Sequence, residues 1–207
     1  MPRETVRQVM VREVELKSVV DDIDACCRRL EAAGAQMTFE GRLEDRRYDD
    51  IDGRLGAADQ MLRVRSFGGA DGGRATLEWK GPTRYEDGYK VREEISVEAA
   101  DAAAVYALLE RLGYAVAVEI DRHVSQYVLG RATIRFERYP RMDVLVEVEG
   151  LPDAIERAIE ALGIPRERFS ADRLATFMAR FEARTGNRAI VSGRGLDAKP
   201  RDGAVNG

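Results

Sequence analysis

The chain is poor in the residues that usually announce a metal or redox site. It has one histidine, His123, and two cysteines, Cys26 and Cys27, in 207 residues. A single histidine excludes a His-rich metal centre and any Ser-His-Asp triad that does not use His123. Adjacent cysteines do not bridge each other, so there is no disulfide framework and no Cys/His zinc spacing. No apolar run is long enough to span a bilayer. Nor is there an excess of one charge: the net charge is -4 although 34% of residues are charged. That balance argues against a nonspecific nucleic-acid binder, which would be basic overall. The opening Met-Pro-Arg-Glu does not read as a signal peptide. A cytoplasmic protein with no membrane or nucleic-acid partner is therefore expected.

What is present is charge in a pattern. A hydrophobic fraction of 44% supports an ordinary core. Along several segments one apolar residue alternates with one charged residue. Glu13, Glu15 and Lys17 share one face of a strand, with Val14 and Leu16 on the other. The same parity recurs for Arg63 and Arg65 against Leu62 and Val64, and for Glu78 and Lys80 against Leu77 and Trp79. It recurs again for Lys90, Arg92 and Glu94 against Val91 and Ile95, for Arg135 and Glu137 against Ile134 and Phe136, and for Glu147 and Glu149 against Val146 and Val148. Period-two alternation predicts a half-buried antiparallel sheet.

Four amphipathic helices are predicted. The first starts at Ser18, with Asp21 completing a weak capping box, and ends at Gly34. The second follows Asp101 and stops at Gly113. The third follows Pro152-Asp153 and stops at Gly163. The fourth begins near Ser170 and ends by Gly186. Val11-Arg12-Glu13 and Val91-Arg92-Glu93 form a weak internal repeat, each opening a strand followed by a helix and a glycine. Residues 66–74, with their glycines, predict a hairpin loop. Residues 185–207 lose periodicity and read as a disordered tail after a domain spanning 1–184.

A polar sheet face in water needs no function. Here, however, the charged residues are mostly Arg, Lys and Glu, and there are enough helices to cover the apolar face. A sheet of this size closes to protect its edges, which makes the charged face an interior where charge must be paired or liganded. Carboxylates concentrate on the first and last strands (Glu13, Glu15, Glu147, Glu149), joined by Glu137. Bases concentrate between them (Arg63, Arg65, Lys80, Lys90, Arg92, Arg122, Arg135) and lack acid to pair fully. Oxygen-only ligands favour magnesium, manganese or calcium, and arginine forks suit phosphate oxygens.

These residues resemble a known family. Glu13-x-Glu15-x-Lys17 is similar to the ExExK signature of the CYTH superfamily, the triphosphate tunnel metalloenzymes. Arg63-x-Arg65, Trp79-Lys80-Gly81-Pro82, Lys90-x-Arg92-Glu93-Glu94 and the strand ending Glu147-x-Glu149 resemble its other strands in order, over about residues 8–182. The resemblance implies an α+β fold: a closed eight-stranded antiparallel β-tunnel, or barrel, with a charged lumen and helices packed outside. It implies Glu13, Glu15, Glu147, Glu149 and Glu137 as ligands of Mg2+ or Mn2+. It implies Lys17, Arg63, Arg65, Lys80, Lys90, Arg92, Arg122 and Arg135 as contacts to a triphosphate. Lys17 and Lys80 are implied in catalysis, with Tyr48 as a partner to Lys80 in activating water. Two departures stand out: Glu137 replaces the usual aspartate, and Val124 replaces a second basic residue after Arg122.

The length, the Gly81-Pro82 turn, Arg92-Glu93-Glu94 and the final helix pair look most like the class IV adenylyl cyclase branch, which converts ATP to cyclic AMP and pyrophosphate. A triphosphatase acting on inorganic, thiamine or another organic triphosphate is the alternative. A non-catalytic nucleotide or polyphosphate binder is the third class. The expected partner is a nucleoside triphosphate or other triphosphate, and relatives suggest a homodimer. By parity His123 and Trp79 face outward, and Cys26-Cys27 are helix packing.

Overall fold

The computed structural model describes residues 11–68 and 74–193. Strand β1 (Val11–Val19) leads into α1 (Ile23–Ala32) and the long β2 (Gln36–Asp49). A short α2 (Arg54–Ala57) precedes β3 (Met61–Gly68) and β4 (Arg74–Lys80), then β5 (Arg84–Glu86) and β6 (Tyr89–Ala99). Next come α3 (Ala102–Arg111), β7 (Ala115–Leu129), β8 (Ala132–Arg138) and β9 (Leu145–Glu149). The described chain closes with α4 (Pro152–Leu162), a 3-10 turn at Arg166–Arg168 and α5 (Leu174–Thr185).

All pairings are antiparallel, in the order β1-β9-β8-β7-β2-β3-β4-β6, and β6 returns to β1. Eight strands therefore form a ring. The short β5 pairs with β6 beyond the residues that β4 uses, continuing β4's edge after the Gly81-Pro82-Thr83 break. The two copies of the internal repeat meet where the ring closes, with Arg12 opposite Glu93 and Glu13 opposite Arg92. They do not present the same face. Glu13 lines the interior cavity and Glu93 does not, so the repeat carries no second functional copy.

The apolar faces point outward beneath the helices. Val14, Leu16, Tyr127, Ile134, Phe136, Val146 and Val148 pack against Cys26 and Leu30 of α1 and Ile155, Ile159 and Leu162 of α4. A smaller cluster of Tyr48, Val64 and Leu109 lies under α3. Gly163 ends α4 in the left-handed region (φ 67°), and Arg29 of α1 donates to the carbonyls of Leu162 and Gly163 at 3.3 and 3.2 Å. That guanidinium meets the carbonyl-rich end of the helix, where positive charge is favoured, and ties α1 to α4.

Three expectations are corrected. Ser18 is still in β1; α1 is capped by the Asp22 carboxylate, which accepts from Ala25 N at 2.9 Å. The β-branched Val19 and Val20 favour extended chain, so the helix waits for the second aspartate. Likewise α5 starts at Leu174, because Ser170 forms a bridge to Lys17 with two 2.9 Å backbone bonds. Residues 186–193, expected within the tail, pack back on the ring. Ile190 bridges Arg141, and the Asp121 carboxylate accepts from Ser192 and Gly193. Of the hairpin loop expected over 66–74, residues 66–68 lie in β3 and Arg74 in β4; residues 69–73 and the remainder of the tail lie outside the described residues.

Candidate active site

The charged faces line a cavity of about 590 Å³ inside the ring. Its walls follow from strand parity alone. Glu13, Glu15 and Lys17 of β1 point in, as do Arg63 and Arg65 of β3, Glu78 and Lys80 of β4, Lys90, Arg92 and Glu94 of β6, Arg122 of β7, Arg135 and Glu137 of β8, and Glu147 and Glu149 of β9. The cavity thus receives every residue expected to contact a metal or a triphosphate.

On the carboxylate wall, lysines stand between the glutamates. Lys17 Nζ donates to Glu15 at 2.7 Å and pairs with Glu147. Lys90 Nζ donates to Glu15 at 2.5 Å. Lys80 pairs with Glu13, and with Glu94 at 3.1 Å. Arg135 Nη1 donates to the other oxygen of Glu147 at 2.5 Å. Burial works against the charge on Glu15, but Lys17, Lys90 and Lys80 outweigh it and hold the carboxyl at about 2. The same competition leaves Lys17 raised above its ordinary range, chiefly through Glu147 and Glu15 against its burial.

Glu149 differs. Its side chain makes no hydrogen bond or ion pair among the described residues. Burial pushes its carboxyl up, Arg135 opposes this, and Glu13 and Glu147 push further, to about 7. A mostly buried carboxylate beside two others, with no partner of its own, suits a hard cation held by oxygen ligands. Among the described residues no three carboxylates gather into a ready cage, because the lysine ammoniums occupy the space between them. The donor chemistry of Glu13, Glu15, Glu147 and Glu149 fits a divalent cation.

The opposite wall corrects the idea that its bases lack acid. Asp45 of β2, which the alternation did not reveal, is 1% exposed and accepts from three guanidiniums. Arg65 donates through Nε and Nη2 at 2.8 and 3.0 Å, Arg63 at 3.1 Å and Arg122 at 3.0 Å. Glu78 accepts from Arg63 Nε at 2.8 Å and from Thr76 at 2.7 Å. Burial raises the Glu78 carboxyl, but Arg63 and Arg65 outweigh that and hold it at about 2. Glu137, expected with the metal carboxylates, has both oxygens engaged, one by Arg122 Nε at 2.6 Å and one by the Tyr139 hydroxyl at 2.6 Å. Arg92 spends its donors on the carbonyls of Gly81 at 2.6 Å and Asp59 at 2.8 Å, strapping the chain at the cavity rim.

Tyr48 is not brought into the charged face. Its atoms reach the cavity wall, but its ring stacks on Tyr106 with centroids 6.5 Å apart, beneath α3. Strand parity explains this, since Asp45 and Arg47 point in and Tyr48 points out. The tyrosine inside is Tyr139, whose parity matches Arg135 and Glu137. Val124 is buried opposite Glu137. His123 is exposed, as expected.

At one end of the cavity a few apolar side chains stand among Asp49, Asp59, Gln60 and Arg173. Met61 opens β3, Ala117 and Val118 lie near the start of β7, and Leu174 and Ala175 open α5. All sit at the end of the ring where β2 stops, since Asp49 pairs with Ala115.

Comparison with solved structures places the fold among known ones. The chain is similar to an adenylate cyclase candidate from Vibrio parahaemolyticus, with a TM-score of 0.70 at 18% identity over 83% of this chain and 99% of that one. It is similar to PH1819 from Pyrococcus horikoshii, with a TM-score of 0.66 at 23% identity over 81% and 98%. It is also similar to HpAC1 from Hippeastrum, an adenylyl cyclase candidate described as having a dominant triphosphatase activity, with a TM-score of 0.55 at 18% identity over 86% and 97%. At these identities the likeness speaks for the fold. Comparison with curated protein sequences returns no significant match. The family model of the CYTH domain matches residues 11–150, most of the chain. The chain belongs to the CYTH domain family.

Proposed function

We propose that this protein is a divalent-cation-dependent enzyme acting on a nucleoside triphosphate, with the cyclising reaction of a class IV adenylyl cyclase as the leading activity. Membership of the CYTH family supports action on a triphosphate. The observation that carries the nucleotide reading is the presence of Met61, Val118 and Leu174, apolar side chains beside Asp49, Asp59 and Arg173, at one end of the cavity. A base and ribose would rest there, with the phosphates along the arginine and lysine rows.

In this reading Glu13, Glu15, Glu147 and Glu149 would hold Mg2+ or Mn2+, and the cation would supply positive charge to offset that of the phosphates. Lys17, Lys80 and Lys90 move from the glutamates to phosphate oxygens. Arg63, Arg65, Arg122 and Arg135 are held in fixed orientations by Asp45, Glu78, Glu137 and Glu147, so their outward N–H groups need no reorganisation to meet developing charge. In the cyclase the substrate's 3′-hydroxyl attacks the α-phosphorus and pyrophosphate leaves. No helix of the described residues is long and apolar enough to cross a membrane.

The triphosphatase reading draws on the likeness to HpAC1, whose dominant activity is that of a triphosphatase. Its proposed Tyr48–Lys80 pair has no support in the geometry, since the Tyr48 ring lies under α3. Product analysis separates the two. With ATP and Mg2+ or Mn2+, cyclic AMP and pyrophosphate are expected. ADP and phosphate, or cleavage of tripolyphosphate or thiamine triphosphate alone, would sink the cyclase in favour of the hydrolase.

A further inference from the structure

Arg47 is a cation without a counterpart. It lies on the inward face of β2 and lines the cavity. Its direct cross-strand neighbours are Arg63 on β3 and Val118 on β7. Like charges facing each other across an antiparallel pair repel. The acids nearby are committed: Asp45 to Arg63, Arg65 and Arg122, and Glu78 to Arg63. Arg47 forms no ion pair among the described residues, and its buried Nε has no hydrogen-bond partner. Burial, then the charge of Arg63, pulls its guanidinium down to about 10. A buried donor left unmade is costly in a folded protein; the charge of Asp45 offsets part of the cost to the guanidinium, but gives Nε no hydrogen bond.

β2 lies four strands from β1 in either direction round the ring. Arg47 therefore stands on the wall opposite Glu13 and Glu15. We propose that Arg47 is a length-sensing binding residue, whose fork takes the phosphate group of a polyphosphate chain that reaches the wall opposite the cation carboxylates. The inference rests on the triphosphate reading above and deepens it. In this proposal a diphosphate held beside the carboxylates leaves Arg47 uncontacted, and a third phosphate group is what extends the chain to it. Arginine suits the task because its planar fork meets two phosphate oxygens at once. The unpaired Nε and the Arg47–Arg63 repulsion are then relieved only by the correct ligand.

The test titrates tripolyphosphate and pyrophosphate, each with Mg2+, into the full chain by calorimetry, for wild type, Arg47→Gln and Arg47→Lys, alongside ligand-free thermal unfolding. The expected result is about ten- to hundredfold weaker tripolyphosphate binding in Arg47→Gln, the range for losing a charged hydrogen-bonding partner. Recovery should be partial in Arg47→Lys, pyrophosphate binding should change little, and the ligand-free midpoint should stay level or rise. Tripolyphosphate binding by Arg47→Gln within twofold of wild type would overturn the assignment while leaving the proposed function standing. So would an equal loss for both ligands. A lowered midpoint or failure to fold would mark Arg47 as structural and overturn it too. A wild type that does not bind tripolyphosphate would remove the proposed function itself.

Discussion

Both oxygens of Asp45 are bonded by Arg65, from Nε at 2.8 Å and from Nη2 at 3.0 Å. This bidentate pair anchors the arginine wall, because the same carboxylate also receives Arg63 and Arg122. Removing one member of a buried ionic network leaves the others uncompensated, at about 3–5 kcal/mol. Asp45→Asn keeps the shape and removes the charge. It should lower unfolding stability by about that amount in a denaturant titration. Added tripolyphosphate should recover part of the loss, since it supplies the missing negative charge.

The carboxylate wall predicts a pH dependence with a definite sign. Glu149 titrates at about 7 in the folded protein against 4.5 ordinarily. A folded value above the unfolded one means the contribution is full below about 4.5 and is lost as pH rises through about 7. Glu15 and Glu78, held at about 2, act oppositely: their contribution is present above 4.5 and is lost as pH falls toward 2. Ligand-free stability measured across this range should therefore show a decline between 4.5 and 7 that Glu149→Gln removes. Stabilisation by Mn2+ should grow over the same interval, because the cation needs the ionised carboxylate.

The outer core offers a separation of stability from chemistry. Ile155 is fully buried between α4 and the ring, away from the cavity. Ile155→Ala should cost about 2–5 kcal/mol by the transfer and cavity terms. Turnover per folded molecule should be unchanged when assayed well below the lowered melting temperature. Lys17→Ala and Arg65→Ala should weaken substrate binding and lower rate together in steady-state kinetics, on top of the stability lost from the buried ion pairs they leave.

The ring was legible wherever charge occupied only one face. Glu13-x-Glu15-x-Lys17 and Arg63-x-Arg65 alternate with buried apolar residues, so parity alone aimed them inward. β2 hid itself because both of its faces are charged. Glu44 and Arg46 point outward and pair with Arg42 and Glu119, which erased the period-two signal around Asp45 and Arg47. Missing Asp45 made the arginines look short of acid, and Tyr48 took its role from the resemblance alone, with no parity in β2 to place its ring. Tyr139 sits just past the last residue of β8, where alternation runs out. Helix starts shifted where an extended β-branched run or a backbone bridge competed with a weak cap, as at Ser18 and Ser170. The packed segment 186–193 rests on two apolar residues, Ala189 and Ile190, too few to register as a pattern.

The central claim is that the carboxylates of β1 and β9 hold a cation that makes triphosphate turnover possible. The direct measurement is ATP turnover with Mg2+ or Mn2+, with and without a chelator, in wild type, Glu13→Gln and Glu147→Gln, with circular dichroism to verify the fold. The account predicts turnover in wild type that chelation abolishes, and none in either variant despite a native spectrum. Turnover that survives chelation, or that persists at the wild-type rate in both variants, would contradict it.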